Sequence, residues 1–239
     1  MNATTTSVDV RRANGRFHTE IGWLDSWHSF SFGEHHDPSN TGHGQLVVLN
    51  DDIIAPGAGF GMHPHRDMEI VTWMIEGALR HHDSKGNKGV ITPGLAQRMS
   101  AGSGIFHSEE NDSDAKPARL VQMWVRPDTK NITPSYEQKD VSDLLAKGGL
   151  VAIASGKGDA GALVIHQKEA RLWVGRLRAS EKVTVPAAPR SHIFIAVGDA
   201  VLEKAGPLAQ GDAARLTGAG PLSLTAGKKG AEVLIWETA

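Results

Sequence analysis

The apolar residues of this chain fall in short runs separated by glycine, proline and aspartate. Almost no segment carries the i, i+3, i+4 spacing of a long amphipathic helix. Runs at 46–50, 53–54, 69–75, 90–92 and 120–125 predict strands in the first half. Runs at 150–154, 163–165, 170–177, 182–185, 192–197, 200–203, 213–216, 222–225 and 232–236 predict them in the second. Turn signals stand between the runs, among them Asn50-Asp51-Asp52, Pro56-Gly57 and the tip Lys85-Gly86-Asn87-Lys88-Gly89. The pattern predicts an all-β protein of two tandem β-sandwiches or barrels.

Three stretches depart from this pattern. Residues 17–44 read as irregular, with Trp23, Trp27, Phe30 and Phe32 interleaved with polar side chains, a segment expected to pack across the mouth or flank of the main domain. Within it His28 is a candidate pocket wall, and His35 and His36 read as surface histidines. Residues 129–138 are polar, contain Pro134 and read as a connection, and Ser142-Asp143 before Leu144-Leu145 predicts a short helix over 141–146. The boundary therefore divides 1–135 from 136–239. The second half faintly repeats the first, with Pro186-Ala187-Ala188-Pro189 and Gly218 to Ser223 at the level of the first half's histidines but without ligand side chains.

At 239 residues a sizeable core is attainable. Lys and Arg number 25 against 27 for Asp and Glu, so no overall pull towards nucleic acid or an acidic membrane exists. Residues 1–16 lack the apolar run of a signal or anchor, and the expectation is a cytoplasmic, monomeric protein. With no cysteine, any metal site must be built from His, Asp and Glu.

Ten of the twelve histidines precede residue 110. Two groups stand out, His63-Pro64-His65 and His107-Ser108-Glu109. Alternate residues of a strand project from one side, so each group aims two donors the same way, and two such strands can surround one ion with three imidazoles and a carboxylate. Gly102 and Gly104, just before the second group, let the backbone turn tightly there. His81 and His82 are strand neighbours and must face opposite ways, one packed and one exposed. Imidazole and carboxylate suit a divalent first-row metal with coordination positions left open.

Gly57, His63, His65, Glu69 and Gly77 resemble the first motif of the cupin superfamily, and Gly102, Gly104, His107 and Asn111 its second. Gly102 replaces the usual proline, and the gap from Glu69 to Gly77 is one residue longer than the common form. The stretches from Phe60 to Glu69 and from Gly102 to Glu109, with Asp25 to Phe32, resemble the pirin family more specifically, and the likeness covers nearly the whole chain. The resemblance implies two tandem cupin domains, of which the first binds one metal through His63, His65, His107 and Glu109. The second would be metal-free. It favours Glu109 over Glu69 as ligand, leaving Glu69 a supporting or structural residue. The implied metal is foremost Fe(II), with Mn, Ni, Cu, Co and Zn as alternatives.

The implied activity is dioxygenation of a flavonol such as quercetin, with Glu109 as the general base that takes the 3-hydroxyl proton. Phe30, Phe32, Phe60, Met62 and Phe106 are candidate walls for the flat aromatic substrate, and dioxygen is the co-substrate. The alternative is an iron-dependent, redox-sensing regulatory protein that binds a protein partner without turnover, although no basic targeting run is present.

Overall fold

A computed structural model describes residues 6–239; residues 1–5 of the polar N-terminal stretch lie outside the described residues. Strands β1 (Ser7–Arg11), β2 (Phe17–Ile21), β3 (Leu24–His28), β4 (Leu46–Ile54), β5 (Gly59–His65) and β6 (Glu69–Glu76) come first. Next are β7 (Leu79–Asp83), β8 (Lys88–Ile91), β9 (Leu95–Ser100), β10 (Ile105–Asn111), β11 (Ala118–Val125) and β12 (Ser135–Asp140), then one helical turn, α1 (Ser142–Leu145). The second half holds β13 (Val151–Ser155), β14 (Leu163–Val164), β15 (Arg171–Leu177), β16 (Lys182–Val185), β17 (Arg190–Leu202), β18 (Gly206–Ala209), β19 (Ala213–Thr217) and β20 (Leu222–Thr238). The protein is all-β, as its apolar runs predict.

In the first half a seven-stranded sheet, ordered β12-β9-β6-β11-β4-β3-β2, faces a four-stranded sheet, β5-β10-β7-β8. The second half forms a nine-stranded sheet with the path β1-β19-β17-β20-β15-β13-β14. β1 pairs with β19, so the N-terminal strand runs in the second half's sheet, while β12 extends the first half's sheet as far as Asp140.

Alternation along each strand assigns every face a task. On β6, Val71 and Trp73 join Val121, Met123 and Val125 of β11 against Leu172, Phe194, Leu234 and Trp236, which fuses the two halves through one apolar core. The other face of the same strands carries Thr72 and Gln122 towards the four-stranded sheet. Burying a Trp or Leu side chain contributes roughly 1.5–3 kcal/mol, so this shared core holds the halves strongly together.

Several sequence expectations change. Residues 17–28 are not irregular: β2 and β3 form a hairpin in which Phe17 faces His28 and Ile21 faces Leu24. Its inward side chains, Leu24, Ser26 and His28, mix polar with apolar because they face a cavity, which hides the strand period. The expected connection at 129–138 contains the start of β12, an edge strand whose exposure explains its polarity. The separate runs at 192–197 and 200–203 are one bulged strand, β17, and those at 222–225 and 232–236 are one long strand, β20.

Candidate metal centre

Strands β5 and β10 pair antiparallel with His107 directly opposite His63 and Ile105 opposite His65, before a register shift between His107 and Glu109. This register gathers three imidazoles, with ring centroids 4.8 Å apart for His63 and His65, 4.5 Å for His63 and His107, and 4.8 Å for His65 and His107. One donor atom from each of the three lies within 4.8 Å of the other two. A second group with the same spacing is His81, His107 and Glu109.

Hydrogen-bond partners fix the tautomers. Nδ1 of His63 lies 2.7 Å from the Gly61 carbonyl and must donate to it, which leaves Nε2 with a free lone pair. Nε2 of His81 lies 3.4 Å from the Asp83 carboxylate and its Nδ1 lies 3.4 Å from Nδ1 of His107; with a neutral His81 donating to Asp83, its Nδ1 accepts from His107. That chain leaves Nε2 of His107 unprotonated, and it is buried without a partner, as is Nε2 of His65. Burial first, then the neighbouring imidazoles, pushes His65 and His107 down to about 3, so both are neutral at physiological pH. Free imidazole lone pairs with no protein partner are what a divalent cation requires, and the donor set fits one.

The Asp83-His81 support was not legible in the sequence beyond the expectation that one of His81 and His82 would be packed. His81 is that one, stacked on Tyr136 at 4.5 Å, and His82 is exposed. The β7–β10 register, with Asp83 opposite His107 and His81 opposite Glu109, creates the contact. Asp83 is itself pinned by the backbone N–H groups of Lys85 and Asn87 at 2.9 and 3.0 Å.

Glu109 is buried and accepts from Gln122, Thr72 and Gln97. Trp124 Nε1 donates to Gln122 Oε1 at 3.0 Å, which turns the Gln122 amide nitrogen to Glu109. These partners belong to one cross-strand row of the seven-stranded sheet: His28, Asn50, Gln122, Thr72 and Gln97 stand opposite one another across β3, β4, β11, β6 and β9. Glu69 shares the face of Val71 and Trp73 and points away from this row. It accepts from the Ser100 hydroxyl at 2.8 Å and the His166 backbone N–H at 3.1 Å, tying the first half to the second. Burial pushes its carboxyl up.

A cavity of about 710 Å³ opens beside His63, His65 and Glu109. Its size falls among sites that enclose a drug-sized ligand, roughly 300–1,000 Å³. Phe32, Phe60, Leu24 and Trp124 supply apolar wall; Trp124 meets His65 edge-on at 4.9 Å and Phe32 at 5.5 Å. His28 lines it as expected, and so does half-buried His35, which had read as a surface residue; both bond Thr19. Three other expected wall residues lie elsewhere. Phe30 is in the core between the halves, and Met62 and Phe106 are 52 % exposed on the outer side of their strands, because His63, His65 and His107 take the inner side. Asp52, a cavity residue that sequence reading missed, receives the Ser26 hydroxyl and is pushed up to about 7 by burial.

An antiparallel β-sandwich that gathers three histidines from adjacent strands defines a cupin-type metal-binding protein. The chain belongs to the pirin family: the family model "Pirin" matches residues 7–125, and the model "Quercetinase C-terminal cupin domain" matches 152–238. A Mycobacterium tuberculosis protein named "putative quercetin 2,3-dioxygenase" is 56% identical over 98% of this chain and 96% of its own length. Escherichia coli quercetin 2,3-dioxygenase is 43% identical over 80% of each chain. The crystal structure of the Escherichia coli bacterial pirin YhhW in complex with nickel(II) superposes with a TM-score of 0.89 at 37% identity, covering 97% of this chain and 99% of that one.

Proposed function

We propose that this protein is a metal-dependent flavonol dioxygenase of the quercetin 2,3-dioxygenase type, holding one divalent transition metal, foremost Fe(II), through His63, His65, His107 and Glu109. The observation that carries the reading is the pair of buried, partnerless Nε2 atoms on His65 and His107, of which His65 lines a cavity walled in part by Phe32, Phe60 and Trp124. When bound, the metal supplies Lewis-acid polarisation and open positions for substrate oxygen and dioxygen.

The remaining chemistry falls to the chain's own groups. Glu109 takes the 3-hydroxyl proton of the flavonol, with Gln122, Thr72 and Gln97 holding its carboxylate in line. Asp52, whose carboxyl titrates near neutrality, offers a second place in the cavity to hold a proton. Phe32, Phe60 and Trp124 accept the flat ring system and exclude water from it. The Asp83-His81 pair keeps His107 in the tautomer a ligand needs. The identity and fold shared with relatives named quercetin 2,3-dioxygenase support this reading.

Oxygen uptake by metal-loaded protein in the presence of quercetin tests it. Glu109→Gln should keep the metal and slow turnover by about 10²–10⁴-fold, the usual contribution of a general base. Absence of oxygen uptake with Fe, Mn, Ni, Cu, Co and Zn alike would reject the activity.

A further inference from the structure

A second cavity, about 150 Å³, lies at the seam between the halves, and it shares no lining residue with the ligand cavity. Four arginines line it, Arg11, Arg12, Arg16 and Arg215, together with Ser29 and His192, and no acidic residue does. Arg16 and Ser29 come from the first half's side of the chain. Arg215 and His192 stand opposite each other on β19 and β17.

The cations here outnumber the anions that could answer them. Arg11 takes Asp9 at 2.8 Å, and Arg12 takes Asp212 at 2.6 Å, so the two outer arginines are paired. Arg215 is 6 % exposed and donates only to neutral oxygens, the Ser29 carbonyl and Asn40 Oδ1, both at 2.8 Å. Its guanidinium lies 4.5 Å over the Phe30 ring, and among the described residues no carboxylate forms an ion pair with it. Arg16, whose side chain is 8 % exposed, reaches Asp51 at 3.7 Å, but Arg119 already holds that carboxylate at 2.9 and 3.0 Å. Arg16 and Arg119 thus share one carboxylate and Arg215 has none, which leaves a surplus of two positive charges at the seam.

Polar atoms without partners concentrate at the same place. Of ten such buried side-chain atoms among the described residues, five belong to residues that wall this cavity: Arg16 Nη1, Ser29 Oγ, both ring nitrogens of His192, and Arg215 Nε. Water could meet some of these hydrogen bonds but not the charge, and a buried cation without a counter-charge is costly. His192 does not add to the surplus, because burial and then Arg215 hold it well below its ordinary range, leaving a neutral ring with one N–H to give. The volume equals the share of about five waters in the liquid, enough for a tetrahedral ion and too little for a nucleotide.

We propose that the seam cavity binds one small dianionic oxyanion of phosphate or sulfate size, held by Arg16 and Arg215 with Ser29 and His192 as neutral donors. The ion bridges the two halves and so stabilises their docking in proportion to its occupancy.

Metal-loaded protein in chloride buffer is titrated calorimetrically with inorganic phosphate and, separately, with sulfate, and its melting temperature is followed in parallel. Saturable binding of one ion per chain with a rise in melting temperature is the expected result. Arg215→Gln and the milder Ser29→Ala should each weaken binding, the former by about 10-fold or more, as loss of a charge-assisted hydrogen bond requires. If Arg215→Gln does not fold, Arg16→Gln takes its place. His107→Ala and the surface variant Arg178→Gln should bind as the wild type does. No saturable binding of either ion, equal affinity in Ser29→Ala and Arg16→Gln, or loss of binding in His107→Ala, which would locate the ion at the metal centre, overturns the proposal.

Discussion

The two halves are built from the same kind of twisted antiparallel strands, yet their interiors differ in kind. Between the seven- and four-stranded sheets of the first half stand His63, His65, His107 and Glu109, faced by the polar row from His28 to Gln97. The corresponding interior of the second half is aliphatic, filled by Leu177, Val185, Ile193, Ile195, Leu216, Leu224, Val233 and Ile235. Strand pairing tolerates either lining because backbone hydrogen bonds do not depend on it. What differs is the source of order: aliphatic burial fixes the second half's interior, whereas the first half combines an apolar cluster around Ile54, Met74, Leu79 and Leu120 with hydrogen bonds from Gln122, Thr72 and Gln97 to Glu109.

Substitutions that cross this difference should have separable effects. His107→Ala should have the largest, lowering metal affinity by more than about 100-fold, since loss of a supporting residue alone reaches that value; metal analysis after dialysis reads it. Retention of stoichiometric metal in that variant would refute the ligand assignment. In the aliphatic half, Ile193→Ala should cost about 2–5 kcal/mol of unfolding free energy by urea titration while leaving metal affinity unchanged. Asp83→Asn keeps the shape of the hairpin tip but weakens the hold on His81, and it should reduce metal affinity by about 10–100-fold with little change in the melting temperature of the metal-free protein.

The last effect is one of pH. Asp52 titrates near 7 when folded and about 3.8 when unfolded, so between these values the folded state binds the extra proton and stability falls as pH rises. Asp52→Asn should remove that slope, gaining on the wild type from pH 4 to pH 8. Equal pH profiles of the two proteins would mean that Asp52 is not buried as described. His65 and His107 act in the opposite sense in the metal-free protein: their folded values lie below the unfolded one, so stability drops as pH falls from about 6.5 towards 3.

The candidate ligands were legible because a strand's period of two is written in consecutive residues: His63 and His65, or His107 and Glu109, share a side whatever they pair with. Glu69 shows where that reading stops. Parity groups it with Val71 and Trp73 against Ile70, Thr72 and Met74, but both sets are largely apolar, so the sequence does not say which meets the histidine cluster. The fold turns Glu69 to Ser100 and His166. The β2–β3 hairpin was missed for a related reason, since a strand that faces a half-polar cavity has no clean alternation.

The sequence by itself determined the all-β class, the pairing of donors within each group and the absence of a comparable group from the second half's motifs, because each depends on neighbours a few residues apart. Only the tertiary structure decided that His81 and Asp83 would steady His107, that Gln122, Thr72 and Gln97 would hold Glu109, and that Arg215 would meet Ser29 and Asn40 across the seam. Those contacts depend on the register between strands distant in the chain. Register follows from how all the faces bury together, a property no single stretch carries.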